Sequence, residues 1–231
     1  MTSGSPHGPL LAAPLVSLAL LVGCAAPPTQ PSLAVLKVFA TSAAYPWIDG
    51  LYACAPAAAA VRLSDSSSAD IELRLGEPNQ LRSPAFQIGS AEMLVVVHPQ
   101  NGVGPLTLDQ VRRLFAGLVT NWSAIGGADV PVQVWAYSSA EDVQEYFDRA
   151  VMNGQPVTSL ARLAVSAQAM SDSVGLVAGS IGILPRRWKT GNTREVLALP
   201  SIPVLAVVKA EPEGIMRDLL SCLQATGTAA P

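Results

Sequence analysis

The chain has 231 residues, half of them hydrophobic and only 13% charged, with a formal net charge of −3. This composition excludes an intrinsically disordered chain, and no Lys- or Arg-rich run marks a nucleic-acid surface. Beyond an N-terminal leader roughly 200 residues remain, enough to bury a core as one domain or two small lobes.

Residues 1–23 contain no Lys, Arg, Asp or Glu, and their apolar run from Leu10 to Val22 leads into Leu21-Val22-Gly23-Cys24. A small residue before cysteine suits a lipoprotein signal peptidase. Residues 1–23 therefore read as a signal peptide and Cys24 as a lipidation site that anchors the chain to a membrane. The n-region departs from the usual pattern, since it carries His7 but no Lys or Arg. The apolar run is short for a transmembrane span. Residues 24–33, with their Pro-rich AAPPTQPSL, form a tether. Two further cysteines, Cys54 and Cys222, are either a disulfide pair in an oxidising compartment or two separate buried thiols.

Along the rest of the chain, strand-like and helix-like segments alternate, which predicts an α/β architecture with mainly parallel sheets. A strand over Leu33–Phe39 runs through Thr41 and Ser42 into a helix over Pro46–Ala55, with Pro suited to the first turn. Ala69–Leu75 alternates as a strand does, and Met93–Val97 is an apolar run fit for a buried one. A turn-rich crossing spans Pro99–Pro105. Thr107 then has N-cap chemistry before an apolar series at Leu108, Val111, Leu114 and Phe115, with Gly117 where the helix would end. Strands follow at Val130–Tyr137 and Leu160–Val165, separated by an amphipathic helix over Glu141–Val151. A helix over Ala167–Val177, a strand over Gly179–Leu184, a β-rich stretch over Leu197–Val208 and a helix over Pro212–Leu223 complete the order. No internal repeat is present.

The stretch LTLDQVRRLFAGLVTNWSAIGG, residues 106–127, is similar to the signature LT-x-x-Q-x-x-x-IF-x-G-x-x-x-NW-x-x-x-GG of phosphate-binding-like periplasmic proteins, the receptors of ABC importers. AFQIGSAEMLVVVHPQNGVGPLT resembles that family's strand and crossing. SAQAMSDSVGLVAGSIGILP resembles its return segment, with Gly182 at the matching glycine. The resemblance implies a type 2 periplasmic-binding-protein fold, two α/β lobes joined by two hinge crossings: residues 34–98 plus 181–231 in lobe one and residues 99–180 in lobe two. It further implies an extracytoplasmic, lipid-anchored, monomeric receptor. Such a receptor closes on a small solute, phosphate or another oxyanion, and presents it to an ABC permease.

A cleft of this kind aims helix N-termini at the solute, because unpaired N–H groups and aligned peptide dipoles stabilise negative charge. Two strand-to-helix junctions qualify. Thr41 and Ser42 match the family's first anion-contacting loop, although simple N-capping explains the same residues. Ser138 and Ser139 end a strand before Ala140-Glu141-Asp142, and Ser138 with Glu141 has capping-box spacing. At this second junction the family's phosphate receptors carry Gly-Ser-Gly-Thr-Arg. With Phe147 aligned to the following aromatic, Glu141, Asp142 and Val143 take the Ser, Gly and Thr positions and Gln144 replaces Arg. Carboxylates there would repel an oxyanion. Arg74, near the family's Ser-Ser-Arg after an Ala-Asp-Ile strand, and Ser90, before the crossing, are further ligand candidates. Trp47 could rim the cleft, Trp122 packs within the signature turn, and Arg186-Arg187-Trp188 is either a solvated turn or a contact for an importer or the membrane.

No enzyme chemistry is legible. Beyond the leader the only histidine is His98, directly before Pro99, where it serves the backbone of the crossing. There is no Cys-x-x-Cys, metal-ligand spacing, phosphate-binding loop or nucleophile elbow, so no cofactor or metal is expected. A second reading comes from the lost anion loop: a degenerate binding protein serving as a sensor or as an assembly or scaffold component.

Overall fold

The computed structural model describes residues 33–227, together with residues 1, 2 and 4. Most of the predicted signal peptide, Cys24 and the tether up to residue 32 lie outside the described residues. The chain divides into two units, residues 1–31 and 32–231, and everything below belongs to the second.

Eight strands form one sheet: β1 (Ala34–Ala40), β2 (Ala59–Leu63), β3 (Ile71–Leu75), β4 (Ala85–Val97), β5 (Gln133–Ala136), β6 (Arg162–Leu163), β7 (Ser180–Pro185) and β8 (Arg194–Val208), in the order β2-β1-β3-β8-β4-β7-β5-β6. The helices are α1 (Ile48–Cys54), α2 (Leu108–Phe115), α3 (Asp142–Phe147), α4 (Ala167–Leu176) and α5 (Gly214–Gly227), with a π-helical turn over Asp148–Met152 extending α3.

The sheet is mixed rather than mainly parallel. β1 pairs in parallel with β2 and β3, and β5 with β6 and β7, but β8 and β4 in the middle run antiparallel to their neighbours. Met93-Leu94-Val95-Val96-Val97 is flanked by β7 on one side and β8 on the other and is wholly buried. A strand covered on both faces needs such an unbroken apolar run. The first half of β4 was not expected as strand: Gly89 and Ser90 interrupt its alternation, and register shifts at Gln87/Gly89 and Ala91/Met93 bend it. Nor was β2, whose Ala-rich sequence lacks the β-branched and aromatic residues that mark strands.

The signature helix folds as its sequence directs. Thr107 accepts from the Gln110 N–H while the Gln110 side chain accepts from the Thr107 N–H, a complete capping box. Gly117 has a φ of +73°, the left-handed conformation that ends a helix without a Cβ clash. Trp122 is fully buried, and its indole N–H donates to the Gly179 carbonyl at 2.9 Å, tying the signature turn to the approach of β7. Gly182 is required by packing: a Cβ there would come within 2.5 Å of the Met170 sulfur and 2.8 Å of Val174, so α4 lies directly on β7. His98 serves the crossing, with Nδ1 accepting from the Gln100 N–H.

Cys54 at the end of α1 and Cys222 in α5 form a disulfide that closes a separation of 168 residues. Among the described residues no helix is long and apolar enough to cross a membrane.

Trp122→Phe should remove one of the two donors to the Gly179 carbonyl, leaving the Gln133 N–H, and empty part of a buried site, lowering unfolding free energy by about 1–3 kcal/mol. Urea denaturation measures it. In the same assay Cys54→Ala/Cys222→Ala should cost about 2–5 kcal/mol, because so long a loop is released in the unfolded chain.

Candidate functional site at the meeting of three strand ends

β1 and β3 run parallel and finish side by side, the Thr41 N–H bonding the Leu73 carbonyl at 3.0 Å. On the far side of the sheet centre β5 ends at Ala136, and the chain turns through Tyr137–Glu141 into α3. The start of α3 is thereby set against the ends of β1 and β3.

Asp142 occupies the meeting point. Its Oδ2 accepts from Thr41 Oγ1 at 2.6 Å and from the Leu75 N–H at 2.7 Å, and its Oδ1 accepts from the Val143 N–H at 2.8 Å. The residue is 2% exposed. Beside it, Glu141 accepts from Ser42 Oγ at 3.1 Å. One turn along, the Glu145 carboxylate accepts from Arg74 Nη2 at 2.9 Å and from the Asn79 N–H at 2.6 Å. Arg149 donates to Asn79 Oδ1 at 3.0 Å and to the Glu77 carbonyl at 2.9 Å, and the Tyr146 hydroxyl donates to the Pro200 carbonyl at 2.9 Å. Apart from the Val143 bond, each of these links α3 or the turn after it to the part of the chain holding β1, β3 and β8.

Thr41, Ser42 and Arg74 are thus brought together. Thr41 also bonds locally, its hydroxyl oxygen accepting from the Ala44 N–H at 3.3 Å, although the helical turn that follows has Ala44 as its N-cap residue and no side-chain cap. The other candidates lie apart from Asp142. Ser138 and Ser139 are exposed, and the expected Ser138–Glu141 capping box does not form: Glu141 is itself the N-cap residue, with its side chain drawn to Ser42. Ser138 Oγ only accepts from the Ala140 N–H at 3.4 Å. Ser90 is exposed on β4 and lines a separate cavity of about 560 Å³ with Trp47, Arg186 and Arg187. There Arg186 pairs with Glu92 and Glu195, Arg187 lies over the Trp47 ring at 4.7 Å, and the Trp188 indole donates to the Ala43 carbonyl. Gln144, at the family's Arg position, accepts from the Tyr137 N–H and donates to Asp148, so it has a backbone-holding role.

Sequence reading treated Asp142 only as a residue hostile to anions and gave Glu145 no role. The signal was an acidic helix start opposite a Thr-Ser loop. Its partner, the Leu75 N–H, has no side-chain signature. Among the described residues no group of three or more His, Cys, Asp or Glu is placed to hold a metal ion.

Burial pushes the Asp142 carboxyl above its ordinary 3.8, against the bonds from Leu75, Thr41 and Val143 and the charge of Arg74. Burial also raises Glu141 above 4.5, with Ser42 opposing and the Asp142 charge adding to the rise. The Tyr137 phenol, buried beside both, is pushed up as well. A carboxyl raised in the folded state binds protons more readily there than in the unfolded chain. Its stabilising contribution is therefore full below the ordinary value and lost as pH climbs through the folded one. The unfolding free energy of the native protein minus that of Glu141→Gln/Asp142→Asn should fall as pH rises from about 4 towards 7, as read by chemical denaturation at each pH. Asp65 and Glu92, shifted downwards, give the opposite slope but cancel in this difference.

Comparison with known proteins accords with this geometry. The model of the PBP superfamily domain matches residues 64–202. A substrate-binding protein from Clostridium perfringens with bound phosphate superposes with a TM-score of 0.71 at 18% identity, covering 82% of this chain and 92% of its own. An ABC-type phosphate transport receptor from Vibrio cholerae gives 0.65 at 16%, covering 84% and 95%. The bromide-bound regulatory domain of HypT from Salmonella typhimurium gives 0.57 at 14%, covering 87% and 99%. At these identities the likeness is one of fold. The superfamily is one of binding proteins rather than enzymes, and over more than half its length this chain belongs to it.

Proposed function

We propose that this protein is an extracytoplasmic solute-binding lipoprotein of the kind that serves ABC importers, anchored through Cys24 and recognising its solute between a lobe of residues 34–98 plus 181–231 and a lobe of residues 99–180. The observation that carries this reading is the convergence of Thr41, Ser42, the Leu75 N–H and Arg74 on the start of α3. These donors sit at the C-terminal ends of parallel strands, where open α/β folds take their ligands. Closure by contacts from both lobes is a hinge motion, with Pro99–Pro105 as one of the crossings. The similarity to phosphate receptors supports the transport assignment and the permease as partner. Cargo identity rests on titration, because the Gly-Ser-Gly-Thr-Arg loop is absent.

A second reading is favoured by the occupancy of those donors. With Asp142, Glu141 and Glu145 satisfying them, the two lobes are held together by the chain itself, as suits a sensor or an assembly component that presents a fixed surface to a protein partner.

The test is a melting-temperature titration of the full-length protein in detergent against phosphate, sulfate, molybdate, tungstate and a set of neutral and cationic solutes. A saturable rise with one of them is the expected outcome and identifies the cargo; a hundredfold excess over the dissociation constant adds about 2.7 kcal/mol of stability. A flat response to the whole panel would transfer the assignment to the sensor or scaffold.

A further inference from the structure

We propose that Asp142 is the built-in occupant of the anion position between the lobes and sets the specificity of that position against small free oxyanions. This rests on the reading of that face as the recognition site.

The donor set is the first argument. Thr41 Oγ1 and the Leu75 N–H come from the ends of two different strands and meet on a single oxygen, Oδ2, at 2.6 and 2.7 Å. Two donors from one lobe, aimed at one acceptor supplied by the other, form the arrangement an anion-binding cleft uses to draw its halves together. Here the acceptor is covalently part of lobe two. A side-chain carboxylate presents the same oxygens as formate, held at an effective concentration that a free anion at ordinary levels does not match.

The second argument is independent of Asp142. Glu145 repeats the pattern one turn along, accepting from Arg74 and the Asn79 N–H, and Arg149 and Tyr146 extend it to Glu77, Asn79 and Pro200. Among the described residues Arg74 is the only cation bonded into the cluster from the strand ends, and it is already engaged by Glu145 and, at 3.6 Å, by Glu72. A free oxyanion entering this position would therefore displace a tethered carboxylate, meet Glu141 beside it, and find no uncommitted guanidinium.

Removing the carboxylate while keeping the donors should turn the position into an anion receptor. The experiment compares the full-length native protein with Asp142→Ala and with Thr41→Val/Asp142→Ala, following melting by tryptophan fluorescence in titrations with formate and with inorganic phosphate. Asp142→Ala should melt below the native protein. At least one of the two anions should raise its melting temperature saturably, with an apparent dissociation constant at least tenfold below that of the native protein, and Thr41→Val/Asp142→Ala should lose this gain. Should Asp142→Ala fail to accumulate as folded protein, Asp142→Ser carries the same comparison. Native protein that binds phosphate as tightly as Asp142→Ala would overturn the inference while leaving the solute-binding reading in place. A variant that responds to neither anion, or a gain that survives loss of the Thr41 hydroxyl, would overturn it too. Stabilisation of the native protein by a neutral or cationic solute bears only on the solute-binding reading.

Discussion

A buried carboxylate cannot stand alone, and the arrangement around α3 follows from that constraint. Taking Asp142 out of water costs several kcal/mol before any partner is counted. The cost is offset only if donors reach it with good geometry. Thr41 and Leu75 do so from the strand ends and Val143 from α3 itself. Neither side satisfies the charge alone, so the carboxylate couples α3 to the ends of β1 and β3.

The sheet explains why those donors are available at this point. β1 and β3 are parallel neighbours, so both end at the same edge, where β1 leads into the Thr41 hydroxyl and β3 offers the Leu75 N–H. β5 lies beyond the antiparallel pair β4 and β8 and runs opposite to β1 and β3, so the chain leaving its end comes back towards theirs and brings Asp142 to Thr41 and Leu75. The long central strands carry the register from one half to the other, and their bulges bend the sheet without breaking it. Phe147 seals the far end of α3 into the core by packing on Phe115 at 4.6 Å between ring centroids, so α2 and α3 share one apolar seam. The 106–127 stretch is thus tied to the site through packing rather than through any group it presents to a ligand.

Much of this was legible in the sequence because local chemistry decided it. The Thr107 N-cap and the helix-ending Gly117 write their requirement into residue type and spacing, while the packing of Trp122 and the place of Gly182 were marked through the family resemblance. What was not legible depended on pairing across distance. Asp142 and Thr41 stand 101 residues apart, and neither declares the other. The Ser138–Glu141 capping box failed for a related reason: the spacing was right, but Ser42 after β1 offered Glu141 a partner that local sequence does not reveal. Ala-rich β2 and the bulged half of β4 escaped notice because strand signals measure side-chain packing, which Ala, Gly and Ser barely express.

Fold and function separate at Asp142. A binding-protein fold supplies two lobes and a hinge, and what it recognises is decided by a handful of groups grafted at the strand ends. In this chain those groups are satisfied from within, yet not fully: burial raises the Asp142 carboxyl in spite of its donors, so ionisation works against this arrangement. In the two-lobed receptor proposed above, closure held by a charge that its surroundings only partly compensate is a weaker bond than closure on a well-matched ligand. The proposed equilibrium between closed and open lobes then responds to anything that improves on the carboxylate, whether a proton on Asp142, a solute that brings its own donors to it, or a partner surface that binds only the closed form. A ligand shifts such an equilibrium by no more than its difference in affinity for the two states. Internal occupancy makes that difference small for simple oxyanions and larger for molecules that can use a carboxylate as an acceptor.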